Sequence, residues 1–264
     1  MTEQEIRKRL APIRCFLLDM DGTFYLGDQL IEGSLDFLAA LKRTGRTARF
    51  LTNNSSKSAS VYKKKLERMG VPEEYRDVMS SGHATAHYCL EHFPGQKCYL
   101  LGNPMLREEM LSLGLELTED DADYVIVAFD TTLDYAKMCK VCDYIRYGKP
   151  YIATHPDFNC PTEHGFIPDS GAIAAFVTAS TGVTPVYFGK PYPETVQMIC
   201  EATGCTKNEM CVFGDRLYTD IALGVRNGVT SVLVMTGETT KAQLEAAAPE
   251  EKPSFVIPSF SALL

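Results

Sequence analysis

The chain has 264 residues, 45% of them hydrophobic and 23% charged, which is an ordinary composition for a globular protein with a large core. Its net charge of −8 argues against a surface for nucleic acid or anionic membrane, because both need an excess of lysine and arginine. No apolar run approaches the roughly 20 residues that span a bilayer, and the N-terminal residues lack the apolar segment of a signal peptide. Several of the 9 cysteines lie inside apolar runs, as small hydrophobic residues do in a reducing compartment. We therefore expect a cytoplasmic protein of one or two domains.

Strand-like and helix-like segments alternate along the chain, which predicts an α/β protein with a parallel sheet covered by helices. The expected strands are 13–19, 47–53, 77–80, 97–101, 124–129, 151–154, 186–188, 210–214 and 230–235. The expected helices are 34–44, 57–69, 104–113, 133–147, one ending near 181, 193–203 and one ending near 227. A loop rich in proline and glycine is expected at 156–171.

Two aspartates follow the first expected strand. The apolar run 13–18, broken only by Arg14, ends at Asp19, and Asp21-Gly22-Thr23 comes next. Carboxylates at the carboxyl end of a parallel strand lie where open α/β sheets bind ligands. Two carboxylates this close repel each other, so one is protonated or a cation lies between them. A simple Asp-Gly turn would explain Asp21 but not Asp19.

Asp215 repeats this arrangement in the last part of the chain. It ends the apolar run 210–214, and Asp220 follows in the opening turn of a helix, where the helix dipole alone also favours an acid. In a parallel sheet, Asp19, Asp21 and Asp215 converge on one edge. Such oxygen ligands suit Mg²⁺, which proteins usually hold with a few carboxylates and the substrate phosphate.

Two more polar side chains follow expected strands. Thr52 ends the second strand, where its hydroxyl and the next amides can bind a phosphoryl oxygen, cap the following helix, or do both. Lys190 lies between Gly189 and Pro191 just after a strand. Alone, this pattern is typical of an exposed turn lysine. Beside three carboxylates, it indicates the cation that a phosphoryl group and its developing charge need.

Together these residues predict phosphoryl transfer. Asp19 would attack phosphorus and form an aspartyl phosphate. Asp21 would protonate the leaving oxygen and then take a proton from the hydrolytic water. Mg²⁺ and Lys190 would hold the phosphoryl oxygens and offset charge in the transition state.

The four motifs resemble those of the haloacid dehalogenase-like (HAD) hydrolases, in the same order and over nearly the whole chain. They are Asp19-Met-Asp-Gly-Thr23, Thr52, Lys190 and Gly214-Asp215 with Asp220. The resemblance implies a doubly wound, Rossmann-like parallel sheet, with Asp19 as the nucleophile and Asp21 as the acid/base. It also implies that Mg²⁺ is bound by Asp19, the backbone carbonyl of Asp21 and Asp215, with Asp220 supporting the metal site.

The spacing of the motifs indicates an inserted domain between the second motif and the third. Too few residues separate Asp19 from Thr52 to form a domain, whereas the stretch from Thr52 to Lys190 is long enough. The resemblance therefore implies an α/β cap domain, which governs substrate specificity, at 82–184. The core would then consist of 1–81 and 185–264.

Four short segments are similar to those of the NagD-like group, which includes phosphatases of 4-nitrophenyl phosphate, nucleotides and sugar phosphates. The segments are Thr52-Asn-Asn-Ser-Ser56, Thr154-His-Pro-Asp157, Pro168-Asp-Ser-Gly171 and Gly189-Lys-Pro191. In that group, the residues that border the substrate correspond to Asn53, Arg216, Leu217, Tyr218 and Thr219.

The chain departs from the group at two positions. Relatives often have Asn where His155 stands and Gly where Asp169 stands. The loop 155–158 points at the leaving group in relatives, so His155 and Asp157 either contact the leaving group or stabilise a proline turn. These departures put the substrate in question rather than the reaction.

We expect a Mg²⁺-dependent phosphatase that hydrolyses small phosphate monoesters. The alternatives are a phosphotransferase or mutase, and a regulatory protein that binds a phosphate ester with very slow turnover. Asp21 counts against a stalled phospho-enzyme, because an acid/base in place favours rapid hydrolysis. The expected partner is a small phosphorylated metabolite, with neither nucleic acid nor membrane. A homodimer is possible, because such caps pair in some relatives and not in others.

Overall fold

The computed structural model describes residues 2–162 and 165–264, which fall into two units. The first unit consists of 2–52, 60–78 and 190–264, and the second of 53–59 and 79–189. The insertion expected at 82–184 lies wholly within the second unit, which also contains the segment directly after Thr52. No helix among the described residues is long and apolar enough to cross a membrane.

Helices and strands alternate along most of the chain. The strands are β1 Cys15–Leu18, β2 Tyr25–Leu26, β3 Gln29–Leu30, β4 Thr47–Thr52, β5 Val78–Ser80, β6 Lys97–Leu101, β7 Glu116–Leu117, β8 Tyr124–Val127, β9 Tyr151–Ala153, β10 Asn159–Thr162, β11 Gly165–Pro168, β12 Val186–Tyr187, β13 Met210–Gly214, β14 Thr230–Val234 and β15 Phe255–Ile257. The α-helices are α1 Glu3–Leu10, α2 Ser34–Arg43, α3 Ala59–Arg68, α4 Ser81–His92, α5 Pro104–Ser112, α6 Tyr135–Arg146, α7 Ser170–Thr181, α8 Pro193–Thr203, α9 Ala222–Asn227 and α10 Lys241–Ala246.

The first unit is built on a six-stranded sheet in the order β15-β14-β13-β1-β4-β5. Strand β1 lies in its interior and pairs in parallel with β13 and β4. All four residues of β1 are buried, as expected for a parallel strand covered by helices on both faces. Aromatic rings fill the core beside it. Phe16, Phe37, Phe213 and Phe260 lie 5.0–5.9 Å apart between ring centroids in the pairs that touch.

The second unit has its own five-stranded parallel sheet, in the order β12-β9-β8-β6-β7. Two apolar clusters cover its two sides, one including Val125 and Val127 and the other Tyr124 and Ile126. Alternate residues of β8 thus point to opposite faces, and both faces are buried. The unit therefore has the core that an independent α/β domain needs.

The structure confirms the α/β prediction and corrects it in one segment. The stretch 156–171 was expected to be a loop, but its described part contains the antiparallel hairpin β10–β11. Residues 163 and 164 of that stretch lie outside the described residues. Pro161 and Pro168 lie in this two-stranded ladder. Proline has no N–H to donate, but it is tolerated here because neither strand pairs with a third one. The hairpin is also mostly exposed, so it lacks the apolar alternation that marks a strand.

Candidate active site

Asp19 lies directly beyond the carboxyl end of β1. The parallel register pairs Leu18 with Phe213 of β13, and the Asp19 N–H donates to the Phe213 carbonyl oxygen at 2.9 Å. This bond extends the ladder one residue past the strand and fixes the backbone of Asp19. Because β13 ends at the same edge, the next acidic residue on that strand, Asp215, follows at the same level.

Three carboxylates meet at this edge. Asp19, Asp215 and Asp220 each offer an oxygen within 4.8 Å of the other two, and all three belong to the first unit. Asp220 is carried by a π-helical turn, Leu217–Ile221, that leads into α9. Its Oδ2 accepts from the Arg216 N–H at 3.2 Å. We call these three residues the acidic cluster.

Lys190 lies inside the acidic cluster. Its Nζ is 2.5 Å from Asp19 Oδ1 and 2.6 Å from Asp220 Oδ1, and it also donates to the Leu51 carbonyl at 3.3 Å. Only 3% of the residue is exposed. Lys190 is therefore held in a defined position, not exposed as an isolated turn lysine would be.

The charges in the cluster do not balance. Burial is the main cause that raises the pKa of Asp19 to about 7, and Lys190 only partly offsets it. Burial, followed by the charge of Asp220, raises the pKa of Asp215 to about 6. Although burial disfavours its charge, Asp19 and Asp220 raise the pKa of Lys190 and keep it protonated. One lysine therefore faces two buried acids and one partly buried acid, and the cluster favours additional positive charge.

Asp21 lies in the turn after Asp19, and its side chain is exposed rather than part of the acidic cluster. The Gly22 N–H donates to the Tyr25 carbonyl at 2.8 Å, which closes the turn. Gly22 has φ +87°, and a Cβ there would lie 2.6 Å from Asp215 Oδ2. Glycine is therefore required at this position both for its backbone and for the approach of Asp215.

Thr52 is the last residue of β4, the strand beside β1. It is buried at the carboxyl edge of the sheet, as its position after an apolar run predicts. Lys190 donates to the carbonyl of the preceding residue, Leu51. The first, third and fourth motifs and the strand that carries the second are thus joined within one unit.

The segment 216–219 follows Asp215 directly. Thr219 is buried and donates to Asp220 Oδ2 at 3.4 Å, whereas Tyr218 is exposed. Arg216 is partly exposed, and its pKa is raised: burial works against its charge, but Asp19 and the other acids outweigh it. Arg216 is therefore a second cation in the field of the acidic cluster.

Glu238 pairs with this segment and was not found from the sequence. Its carboxylate accepts from the Tyr218 hydroxyl at 2.9 Å and forms an ion pair with Arg216 Nε at 2.9 Å. The stretch Met235-Thr-Gly-Glu-Thr239 follows β14 as a polar, glycine-containing turn. That position beside β13 at the carboxyl edge was the signal that could have pointed to it.

The remaining predicted site residues belong to the second unit, where they form a buried group of their own. Asn53 Nδ2 donates to Asp157 Oδ2 at 3.0 Å. The His155 ring lies between two acids, with Nδ1 3.6 Å from Asp157 Oδ2 and Nε2 3.3 Å from Asp169 Oδ1. Burial alone would lower the pKa of His155, but Asp157 and Asp169 raise it to about 9. We call His155, Asp157 and Asp169 the histidine cluster.

The acidic cluster fits a divalent cation of the hard, oxygen-binding kind. Its donors are carboxylate oxygens from three separate positions, close enough to share one ion, and burial raises the pKa values of Asp19 and Asp215. Mg²⁺ is bound by such carboxylates together with waters and substrate phosphate. Asp19, Asp215 and Asp220 are the residues whose side chains would hold it.

An α/β sheet with a lysine-bridged acidic cluster beyond its carboxyl ends defines the class: an α/β enzyme with its active site at that edge. Comparison with known proteins gives the family. The profile of the haloacid dehalogenase-like hydrolases matches residues 16–116, and a HAD-hydrolase-like profile matches residues 187–263. The chain belongs to the haloacid dehalogenase-like hydrolase family, and within it to the phosphatases of the NagD and 4-nitrophenylphosphatase type.

Three relatives illustrate this placement. An acid sugar phosphatase of Staphylococcus saprophyticus is 35% identical over 88% of this chain and 90% of the relative. A 4-nitrophenylphosphatase of Thermotoga maritima is 46% identical, with a TM-score of 0.91 over 97% of both chains. A glycerol phosphate phosphatase of Mycobacterium tuberculosis, solved in complex with magnesium, is 28% identical, with a TM-score of 0.89 over 97% of this chain and 77% of that one.

Proposed function

We propose that this protein is a Mg²⁺-dependent phosphatase that hydrolyses small phosphate monoesters through an aspartyl phosphate on Asp19. The observation that carries the proposal is the acidic cluster with Lys190 at its centre. Two carboxylate oxygens lie within 2.6 Å of the Lys190 Nζ, and a third carboxylate has an oxygen within 4.8 Å of both, an arrangement that a bound divalent cation would stabilise.

Asp19 is the proposed nucleophile because its backbone is fixed by the ladder bond to Phe213, while its carboxylate is held by Lys190. An attacking carboxylate needs a defined direction, and both contacts supply it. Attack by an Asp19 oxygen on phosphorus forms the P–O bond of the aspartyl phosphate and breaks the bond to the leaving oxygen.

Asp21 is the proposed acid/base. Its exposed side chain, in the turn two residues after Asp19, can carry a proton to the leaving oxygen and later accept one from water. Lys190 and Thr52 are the proposed ligands of the phosphoryl oxygens, since both lie at the carboxyl edge of the sheet. Mg²⁺, when bound, would neutralise the phosphoryl oxygens and the acidic cluster.

We further propose that the substrate is a small phosphorylated metabolite, with sugar phosphates as the first class to test. The names of the relatives support this choice: acid sugar phosphatase, 4-nitrophenylphosphatase and glycerol phosphate phosphatase. The net charge of −8 supports a small ligand over nucleic acid or an anionic membrane. Asn53, His155 and Asp157 of the second unit are candidate determinants of substrate choice, in line with a cap that governs specificity.

The test is phosphate release from 4-nitrophenyl phosphate and a panel of phosphorylated sugars, with and without Mg²⁺. We expect Mg²⁺-dependent turnover that Asp19→Asn reduces by roughly 10³-fold or more, because the nucleophile is lost. Asp36→Asn, an exposed aspartate in the first turn of α2, is the matched control and should keep wild-type activity.

Turnover by Asp19→Asn at the wild-type rate would remove the nucleophile assignment. Uniformly slow turnover across the panel, with tight binding of one ester, would favour the regulatory alternative. Phosphate that appears on an added acceptor alcohol instead of in solution would favour the phosphotransferase alternative.

A further inference from the structure

The loop that follows β14, Thr236–Thr239, makes contacts with Asp215 for which none of the four motifs accounts. We call it the β14 loop. Two of its backbone N–H groups donate to Asp215: that of Glu238 to Oδ2 at 2.7 Å, and that of Thr239 to the carbonyl oxygen at 3.2 Å. One bond orients the carboxylate and the other holds the backbone, so the β14 loop fixes both parts of the residue.

The backbone of Gly237 lies close against the Asp215 carboxylate. A Cβ at this position would overlap Oδ2, Cγ and Cβ of Asp215, the three nearest atoms. The backbone of Gly237 is not in the left-handed region, so its conformation would accept alanine. The close approach to Asp215 is therefore the specific reason for a glycine here.

The β14 loop also reaches the first motif. The Thr236 hydroxyl donates to the Gly22 carbonyl at 2.7 Å, and the Thr23 hydroxyl donates to Asp215 Oδ1 at 3.3 Å. Both oxygens of Asp215 thus have a donor, one from the β14 loop and one from the first motif. Asp215 itself is 2% exposed, so these donors replace the water that would otherwise orient it.

We propose that the β14 loop is a positioning element for Asp215, which sets the direction of this carboxylate toward the ion that the acidic cluster would share. The inference rests on the proposed function in that the ion is taken to be Mg²⁺. Groups that orient a metal ligand through hydrogen bonds are known to govern metal affinity, and their loss typically costs about 10- to 100-fold.

The first experiment is Mg²⁺ binding to the metal-free protein, measured by titration calorimetry. Gly237→Ala is expected to weaken binding by about 10-fold or more, because its methyl group displaces the Asp215 carboxylate. Asp36→Asn, the exposed aspartate of α2 that serves as the control above, is the matched variant. It lies outside the site, so its Mg²⁺ affinity should stay within about threefold of wild type.

The second experiment needs neither metal nor substrate. In a thermal unfolding cycle on the metal-free protein, Gly237→Ala should lower the Tm of wild type by several degrees. It should lower the Tm much less in an Asp215→Gly background, where the atoms it would overlap are gone. Such non-additivity is the signature of two groups in direct contact.

The outcomes distinguish a failure of the β14 loop inference from a failure of the proposed phosphatase function. If the wild type neither binds Mg²⁺ nor hydrolyses phosphate esters, the proposed function fails, and the unfolding cycle still decides whether the β14 loop positions Asp215. Equal losses of Tm in both backgrounds would overturn the inference. So would a folded Gly237→Ala protein that binds Mg²⁺ as tightly as a wild type that does bind it.

Discussion

Each of the two units holds a cluster of acids around a basic side chain, and the clusters differ in which ionised form their surroundings favour. In the first unit, Lys190 contacts two of three carboxylates, and the pKa values of Asp19 and Asp215 are raised. In the second unit, His155 lies between two carboxylates. Those two acids have further donors: Asp157 accepts from the Asn53 amide, and Asp169 accepts from the Ser170 N–H as the N-cap of α7.

The difference lies in which charge the surroundings favour: the raised pKa values of Asp19 and Asp215 disfavour their ionised forms, whereas the raised pKa of His155 favours its protonated form. In the histidine cluster, each acid lies within 3.6 Å of the imidazole and accepts one hydrogen bond from another residue. In the acidic cluster, three carboxylates converge, and a bound cation would relieve the repulsion among them. Converging carboxylates with raised pKa values, rather than the number of acids, are what point to function here.

The largest expected effect is on turnover. Asp215→Asn removes one carboxylate of the acidic cluster, and loss of metal assistance costs several kcal/mol of transition-state stabilisation, or roughly 10³-fold in rate. We expect its Tm in the metal-free state to stay close to that of wild type, since a buried, unbalanced charge is removed. Phosphate release and thermal unfolding in EDTA check both points.

One control and one contradicting outcome test this prediction. Wild-type protein in EDTA should lose as much activity as the variant does in Mg²⁺. Retention of more than about a tenth of the wild-type rate by Asp215→Asn in Mg²⁺ would contradict a role in the metal site, because the loss would then be under about 1.4 kcal/mol.

Two members of the acidic cluster, Asp19 and Asp215, follow a simple local rule. Each ends an apolar run, and parallel strands deliver such residues to one edge, whereas the side chain of Asp21, which was expected to converge with them, lies outside the cluster. Lys190 needed a second step, because a lysine in a Gly-Pro turn indicates a phosphoryl site only beside the carboxylates. Most strands of the two sheets were predicted to within a few residues, since short buried runs between turn residues are distinctive, but the edge strands β7 and β15 were not expected.

The rest depends on packing that no local pattern encodes. The β14 loop holds Asp215 through backbone N–H groups, which every residue type has, so side-chain identities could not reveal it. His155 and Asp169 were each recognised as departures from the NagD-like pattern. That the two touch follows from the way α7 packs on the 155–158 loop, where a Cβ on Gly171 would overlap the Pro156 carbonyl. The two departures therefore meet in one contact.

The second prediction concerns stability in the histidine cluster. His155→Ala leaves two buried acids without their shared cation, which should lower the free energy of unfolding by about 3 to 5 kcal/mol. The exposed His92→Ala is the matched control and should change it by less than about 0.5 kcal/mol. Denaturant unfolding at pH 7 in EDTA measures both.

A double-mutant cycle on His155 and Asp169 tests the same contact in a second way. Asp169→Gly should cost less in a His155→Asn background than in wild type, with a coupling of about 1 to 3 kcal/mol, because the residues are in contact. The N-cap itself contributes little to that difference, since glycine replaces aspartate at a cap for a few tenths of a kcal/mol. Additive losses would show that the two residues vary independently, and the charge comparison between the units would lose its support.

The smallest expected effect is the pH dependence of stability that His155 contributes. Its folded pKa of about 9 lies above the ordinary value of 6.5, because Asp157 and Asp169 outweigh the opposing effect of burial. The folded protein therefore holds this proton more tightly than the unfolded chain. The stabilisation is fully present below pH 6.5 and is lost as the pH rises through 9, by about 3 kcal/mol in total. Unfolding in EDTA between pH 7 and 10 should show this loss in wild type and in His92→Asn, and a flatter profile in His155→Asn.

An NMR titration of the His155 imidazole gives the contradicting outcome. A midpoint near pH 6.5, as in an exposed histidine, would mean that Asp157 and Asp169 do not stabilise the protonated ring.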